Sequence, residues 1–231
     1  AHLAEWCLLL ARTDPDAPKS RGLSTFLADV RSPGVTVNPI VDMAGAKSFT
    51  EIFLEDVRVN KKYLLGQENR GLPLVFEALE GDRFWGRCLR HAGSKKDLEE
   101  LVEFANEAKY DGHRLKDNQV IRDTLAELAV ELEVSRMINY KAAWLLNKGA
   151  SISWESSVVK VVADELGQRI ANAGLEILGP EIQINDKSQW ARLKKRFLFL
   201  YTFNRGISLA GGTSEIQRNT IALRGLRLPR A

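Results

Sequence analysis

The hydrophobic pattern of this chain changes once, close to Gly71. Before that residue, short apolar or alternating runs are separated by Pro, Gly and Asp turns, a pattern typical of β-strands. After it, apolar residues recur at intervals of three and four, which is typical of helices. The predicted strands are 6–11, 24–30, 35–37 and 51–59. The pattern predicts a short β segment followed by an α-helical bundle.

Five helical regions are predicted after the change. The first runs from about 71 to 108, the second from 118 to 148, the third from 153 to 178, and the last begins near Thr213. The fourth region, 189–205, contains the apolar run 197–201, which fits a strand or a buried helix; its polar flanks and length favour the helix. One apolar face is predicted for the first half of the first helix: Leu72, Val75, Phe76, Leu79, Trp85, Cys88, Leu89 and Ala92.

Composition narrows the class of protein. Apolar residues make up 45% and charged residues 27% of the 231 positions, as in a soluble globular protein with a sizeable core. The net charge of +3 is too small to imply nucleic-acid binding. No membrane span, signal peptide or metal-ligand pattern is visible. Cys7 and Cys88 are predicted to be buried free thiols in a reducing compartment. A basic cluster is predicted to be a solvated helix face: Arg192, Lys194, Lys195 and Arg196.

A small-residue turn near the end leads into the last helix. Gly211 and Gly212 permit positive φ or close approach to a ligand, and Ser214 with Gln217 fits a capping box. The free N–H groups of a helix start suit a phosphate or a flavin oxygen. An ordinary loop-to-helix junction is the alternative interpretation of the same residues.

The letters of this turn are more specific than its glycines. The string GGTSEIQRN at 211–219, followed by LPR at 228–230, resembles the C-terminal signature of the bacterial branch of the acyl-CoA dehydrogenase family. Four further strings agree in order and spacing: AEWCLLLARTD at 4–14, SPGV at 32–35, LEDVRV at 54–59 and LLG at 64–66. The resemblance covers the whole chain.

The resemblance also implies the domain organisation. Residues 1–66 correspond to the second half of the family's middle β-domain, and 67–231 to its C-terminal helical-bundle domain. The N-terminal helical domain and the first half of the β-domain are expected to lie outside this sequence. Because half a β-domain leaves strand edges unpaired, we expect further chain or a partner to cover them.

The family's chemistry is FAD-dependent dehydrogenation of an acyl-CoA thioester, in which a carboxylate takes the α-proton and the flavin accepts the β-hydrogen as hydride. One part of the family places the base directly before the Gly-Thr of the signature, where this chain has Gly211. Another part uses a Glu directly before an Arg on the first long helix. Here that pair is Asp82 and Arg83, so Asp82 is the candidate base. Its side chain is one C–C bond, roughly 1.5 Å, shorter than Glu; an ordinary surface ion pair is the alternative.

Further site residues follow from the resemblance. Arg83 and Glu80 match positions that border the acyl-CoA site. Residues that match flavin contacts are Thr213, Glu215, Gln119 and Gly212, and Gln119 is expected to reach FAD across a subunit interface. Family residues are replaced at six positions: Ala108, Asp111, Glu176, Pro180, Thr202 and Phe203. These replacements weaken the contribution that this chain is expected to make to binding the adenine and pyrophosphate end of FAD.

Two hypotheses remain open at this point. The chain belongs to an active FAD-dependent oxidoreductase of lipid metabolism and β-oxidation, or it is a non-catalytic or FAD-deficient structural subunit of a heteromeric acyl-CoA dehydrogenase. The resemblance implies a homo- or hetero-tetramer and an electron-transfer flavoprotein or similar acceptor. It also implies a cytoplasmic location in a bacterium, or the mitochondrial matrix in a eukaryote.

Overall fold

The computed structural model describes residues 1–183 and 188–230. The chain divides into two compact units, Ala1–Leu79 and Glu80–Ala231. The first unit contains five of the strands, and the second contains a short two-stranded hairpin and most of the helical structure. The predicted β segment followed by a helical bundle is therefore confirmed, while the domain boundary at 66/67 stays a prediction.

The strands of the first unit form two small antiparallel groups. The first is a three-stranded sheet with β2 in the centre, and the second is the β3–β4 hairpin. The predicted strand 51–59 is wrong at its end, because the chain leaves the sheet after Leu54 and Asp56 takes a positive φ of 52° that interrupts a strand. The strands are β1 (Trp6–Arg12), β2 (Leu23–Asp29), β3 (Val35–Ile40), β4 (Phe49–Leu54) and β5 (Leu64–Leu65).

The strands leave apolar surface exposed. In these groups β1, β3, β4 and β5 each pair on one side only among the described residues. Several large apolar side chains on the strands are exposed, including Leu8, Ile52 and Phe53. That further chain or a partner covers this surface remains a prediction.

The predicted helices form, and all lie close to their predicted bounds. The run 197–201 lies within α4, so the helical interpretation is confirmed. A short hairpin that the sequence did not predict, β6 (Lys109–Tyr110) with β7 (His113–Arg114), joins the first two helices; positive φ at Asp111 and Gly112 makes its tight turn. The helices are α1 (Gly71–Glu107), α2 (Gln119–Asn147), α3 (Glu155–Leu178), α4 (Ala191–Leu209) and α5 (Ser214–Thr220).

Helix α3 is the centre of the helical unit. It packs against α2, α4 and α5, and most of its residues are buried. Gly174 of α3 lies directly against the buried Phe197 ring of α4, where a methyl group would overlap the ring. The main core cluster is drawn from α1 to α4 and the adjoining turn: Leu98, Leu101, Phe104, Leu128, Leu132, Leu166, Ile170, Ala173, Ile177, Leu178, Ile182, Leu193 and Phe197.

Part of the predicted apolar face of α1 is wrong. Trp85 is 64% and Leu89 is 76% exposed, and Phe76 and Leu79 are also exposed. The buried face of this part of α1 instead carries Phe84 together with arginine side chains. The apolar residues do recur at helical spacing, but the side of the helix that is buried is the one that carries the arginines.

Two predictions from composition also need correction. Cys7 and Cys88 are free thiols but only half-buried, and burial raises the pKa of Cys88. Only half of the basic cluster is solvated: Arg192 and Lys195 are exposed, whereas Lys194 is buried and Arg196 forms ion pairs with Asp97 and Glu100 of α1. Within the described residues, none of the helices has the length and apolar character needed to cross a bilayer.

The contact between α3 and α4 makes a prediction about two glycines. Gly174→Ala should lower the free energy of unfolding by about 1–3 kcal/mol, because the added methyl overlaps the Phe197 ring. Gly93→Ala in α1 is the matched control, since its methyl would meet open space and should raise helix stability by about 0.5–1 kcal/mol. Thermal unfolding of both variants checks this; equal shifts of the midpoint would contradict the tight α3–α4 contact.

Candidate functional site

The double-glycine turn joins α4 to α5. Gly211 and Gly212 have φ of 72° and 97°, in the left-handed region that favours glycine. A side chain on Gly212 would also collide with the amide of Gln217. This turn therefore depends on glycine at position 212 for two separate reasons.

The cap of α5 differs from the predicted capping box. Thr213, not Ser214, is the N-cap residue, and its Oγ1 accepts a hydrogen bond from the Ile216 N–H at 3.3 Å. Gln217 does not return to the cap; its buried side chain donates to the Gly211 carbonyl at 2.9 Å. Ser214 is therefore the first residue of the helix and not its cap.

Arg83 of α1 lies beside this turn. Its Nη1 donates to the Gln217 Oε1 at 3.5 Å, and its Cγ lies 3.8 Å from the point where a Gly211 side chain would begin. Burial lowers the pKa of the Arg83 guanidinium, and Glu80 opposes that shift. The structure therefore brings the predicted substrate residue Arg83 together with the predicted flavin-binding turn.

The neighbouring acidic residues behave differently. Asp82, the candidate base, is exposed and immediately precedes Arg83 on α1. Glu80 is half-buried and forms an ion pair with Arg224 at 3.6 Å, so it contacts the π-helix Ile221–Gly225. The roles of Asp82 as base and of Glu80 as substrate contact stay predictions.

The remaining predicted flavin contacts are spread over the unit. Glu215 is exposed in the first turn of α5, and its pKa is lowered by hydrogen bonds from its own backbone N–H and from Thr213. Gln119 opens α2 and donates to Asp123 at 2.7 Å. Gln119 lies beyond the hairpin that follows α1. The last residue of α1 is roughly 35 Å from Arg83 along the helix axis, at 1.5 Å per residue. The structure brings Thr213 and Gly212 together with Arg83, but it does not bring Gln119 to them.

The replaced family positions have local roles in this fold. Ala108 packs on the core, and Asp111 forms the hairpin turn. Phe203 stacks on Phe199 with ring centres 4.9 Å apart, while the Thr202 hydroxyl bonds to α4 carbonyls. Within the described residues, none of these positions supplies a cation for a pyrophosphate.

Sequence reasoning missed a buried polar cluster beneath the turn. Asp164 of α3 accepts a hydrogen bond from Arg87 of α1 at 3.0 Å, and its second oxygen lies 2.9 Å from the same guanidinium. Lys160 lies 3.1 Å from this carboxylate. Arg90 completes the group at 3.8 Å. We call Arg87, Arg90, Lys160 and Asp164 the cation cluster. Two sequence patterns indicate this cluster. Arg83, Arg87 and Arg90 share one helix face, and Lys160 and Asp164 are spaced four apart in an apolar helix.

The fold and the site now permit comparison with known proteins. Residues 69–226 match the family model of the acyl-CoA dehydrogenase C-terminal domain. Acyl-CoA dehydrogenase IpdE1 of Mycobacterium tuberculosis is 29% identical over 233 residues, covering 100% of this chain and 57% of that protein. The chain thus spans about half the length of the curated relatives it matches.

Solved structures agree with the family assignment. A structure titled Tcur3481-Tcur3483 steroid ACAD G363A variant has a TM-score of 0.89 at 25% identity, covering 100% of this chain and 59% of that one. The glutaryl-coenzyme A dehydrogenase glutaryl-CoA complex has a TM-score of 0.85 at 26% identity, covering 100% and 57%. The chain belongs to the acyl-CoA dehydrogenase family, whose members are FAD flavoproteins.

The contact between α3 and α5 makes a prediction about pH. Arg218 pairs with Glu165 at 2.8 and 2.9 Å, and this hydrogen bonding lowers the pKa of Glu165 below its ordinary value of 4.5. A carboxyl whose pKa falls on folding stabilises the fold above its ordinary pKa and loses that contribution as pH falls through the lowered value. Because both groups are partly exposed, we expect a contribution of at most about 1 kcal/mol.

Glu165→Gln should therefore unfold at lower temperature than the wild type at pH 7, and the difference should shrink as the pH falls below 4.5. Thermal unfolding across this range measures it. Glu103→Gln, an exposed change on α1, is the control. A difference between wild type and Glu165→Gln that is the same at pH 7 and pH 3 would rule out the ion pair as its cause.

Proposed function

We propose that this chain forms part of an FAD-dependent acyl-CoA dehydrogenase, with the double-glycine turn at the flavin and Asp82 as the base. Family membership supports the general reaction. The observation that carries the proposal is the placement of Arg83 beside the Gly211–Gly212 turn. It supports placing the acid–arginine pair of α1 and the signature turn at one site.

The residues around the turn suit a flavin. A flavin supplies a two-electron acceptor when it is bound, and its oxygens accept hydrogen bonds. Gly211 leaves room at the turn, since a methyl there would only touch the Arg83 and Arg87 side chains at 3.8 and 3.9 Å. Positive side chains around an uncrowded turn favour an electron-rich ligand at this place.

Asp82 is the proton acceptor of the proposed reaction. The Cα–H bond breaks and its proton goes to the carboxylate, while the hydrogen on Cβ leaves with two electrons to the acceptor and the Cα–Cβ double bond forms. Asp82 is exposed and therefore accessible in this part of the protein. Asp82 and Arg83 are consecutive on α1, so their side chains point about 100° apart around the helix axis. The Arg83 side chain is the one that faces the turn.

An FAD-deficient structural subunit is the alternative. It is favoured by the loss of the family's arginine at Ala108 and by the replacement of its phenylalanine at Asp111. The Tcur3481-Tcur3483 steroid ACAD is named for two proteins, and a two-chain assembly of that kind would allow one chain to hold less of the cofactor. In such an assembly this chain would still present the turn and α2 to its partner.

The visible spectrum of the full-length protein tests the proposal. The wild type should carry flavin absorption that bleaches on anaerobic addition of a saturated acyl-CoA. Asp82→Asn should keep the flavin and slow bleaching by at least about 10²-fold, because the proton acceptor is lost. Asp82→Glu should retain bleaching, and Glu103→Gln serves as the control for a lost surface charge.

Three results would contradict parts of this proposal. Unchanged bleaching in Asp82→Asn would show that the base lies elsewhere. A colourless wild type that acquires flavin only with a second chain would favour the structural subunit. Loss of flavin in Asp82→Asn but not in Glu103→Gln would assign Asp82 to cofactor binding instead of proton transfer.

The outward face of α2 supports self-association. Opposite its buried face, α2 exposes a continuous apolar stripe, with each large side chain between 50% and 65% exposed: Val130, Val134, Met137, Tyr140 and Trp144. A helix that is apolar on both sides is unusual on a free surface. We infer that this stripe packs on the α2 of a second copy of the chain.

Charge complementarity selects a second copy as the occupant. In an antiparallel α2 pair centred on Met137, each position faces the one equally distant on the other side of Met137. Val130 then meets Trp144, Val134 meets Tyr140, and Glu133 meets Lys141 of the other copy. The same two-fold axis generates this opposite-charge contact twice. We expect an electron-transfer flavoprotein or similar acceptor to bind a surface other than this apolar stripe of α2.

Charge reversal at Glu133 and Lys141 tests the pairing. Glu133→Lys or Lys141→Glu alone should raise the Kd of self-association by about tenfold, because like charges then meet twice across the axis. The double variant should restore association, since the opposite charges meet again. Sedimentation velocity of the full-length protein measures this, with Lys195→Glu on the exposed side of α4 as control.

A double variant as weak as the single variants would exclude this register. A wild type that stays monomeric but associates through α2 with a related chain would replace the second copy by that partner.

A further inference from the structure

The cation cluster is a buried ionic group beneath the double-glycine turn. Lys160 is fully buried, Asp164 is 2% exposed, and the Arg87 side chain is 10% exposed. Buried charges of this kind are destabilising unless they are paired and hydrogen-bonded. Here Asp164 accepts one hydrogen bond from Arg87 and forms close ion pairs with both Arg87 and Lys160, so its own charge is compensated more than once.

The same cations hold the backbone that enters the turn. Lys160 Nζ donates to the Ser208 carbonyl at 2.6 Å, and Arg87 Nη2 donates to the Ala210 carbonyl at 3.3 Å. These carbonyls lie at the C-terminal end of α4, where the helix dipole favours positive charge. With Gln217 bonded to the Gly211 carbonyl, side chains hold three of the four carbonyls from 208 to 211.

The charges of the cluster do not cancel. Arg87, Arg90 and Lys160 contribute three positive charges and Asp164 one negative charge, which leaves a net charge of +2. The other group that bonds to Arg90 is the neutral amide of Asn204, at 2.8 Å. The nearby Glu165 is already paired with Arg218. The surplus positive charge therefore lies below the Gly211–Gly212 turn.

We propose that Lys160, Arg87 and Asp164 position the double-glycine turn and impose a positive potential there, so that the turn prefers a ligand in its more negative state. This proposal rests on the proposed function, in which the ligand is a flavin that becomes an anion when it is reduced. Lys160 and Asp164 then act through the turn as positioning residues. Each alters the balance between reduced and oxidised ligand according to the sign of its charge.

The test compares variants of opposite charge in the full-length protein. Lys160→Met removes a positive charge and should lower the affinity for reduced FAD relative to oxidised FAD by about tenfold. Asp164→Asn removes the negative charge and should shift the same ratio in the opposite direction. Lys160→Arg should keep the wild-type ratio. Lys195→Met, an exposed change of the same kind on α4, should also leave it unchanged.

The ratio of the two dissociation constants, measured by titration of apoprotein with oxidised and dithionite-reduced FAD, separates charge from damage to the fold. Damage alone would move Lys160→Met and Asp164→Asn in the same direction, and that result would overturn the proposal. A wild-type ratio in Lys160→Met would overturn it as well. Binding of neither form by the wild type would defeat the proposed function and, with it, the ligand preference.

Amide hydrogen exchange tests the positioning of the turn without any ligand. Lys160→Met should accelerate exchange at residues 209–213, whereas Lys160→Arg and Lys195→Met should not. Unchanged exchange in Lys160→Met would show that the lysine does not hold the turn, whatever the protein binds.

Discussion

The buried carboxylate of Asp164 is the constraint on which the helical unit depends. It receives Arg87 from α1 and Lys160 from its own helix, and both cations continue to carbonyls of α4. Three helices are thus tied through one charge. Breaking one side of a buried ion pair generally leaves the other charge unpaired and is strongly destabilising. The position of the signature turn therefore depends on a residue far from it in sequence.

Close helix packing makes this arrangement possible. At Gly174 the ring of Phe197 rests on the α3 backbone, and at Gly167 the Asn204 amide donates to the backbone carbonyl at 3.0 Å. Both contacts bring α4 close to α3 without a side chain between them. The end of α4 then lies within reach of Lys160. The short helix α5 follows a turn that the longer helices have already fixed.

The sequence predicted the helices well, because they depend on local spacing, whereas the acid–arginine pair came from the family resemblance and stays a prediction. The bounds of α2 and α3 follow from caps and periodicity, and Gly212 follows from its place in the signature. The cation cluster was not predictable in the same way. A lysine in an apolar helix is usually exposed, and burial of Lys160 depends on its ion pair with Asp164 and on the Ser208 carbonyl, 48 positions away on α4. Trp85 shows the converse: its spacing predicted burial, yet the adjacent arginine stripe faces inward instead.

The distribution of charge along the helical unit distinguishes two ends. Cations gather below the turn. Arg83 bonds to Gln217, and Arg87 and Lys160 both contact Asp164. At the other end, beyond α1, the family's cationic position is Ala108, and the hairpin carries Asp111 between Lys109 and Arg114. A cofactor held mainly by this chain would then be bound through its reactive ring system more than through its phosphates. The contact that Ala108 cannot make with the phosphates would then come from the hairpin cations or from a partner chain, which links the proposed α2 pairing to cofactor binding.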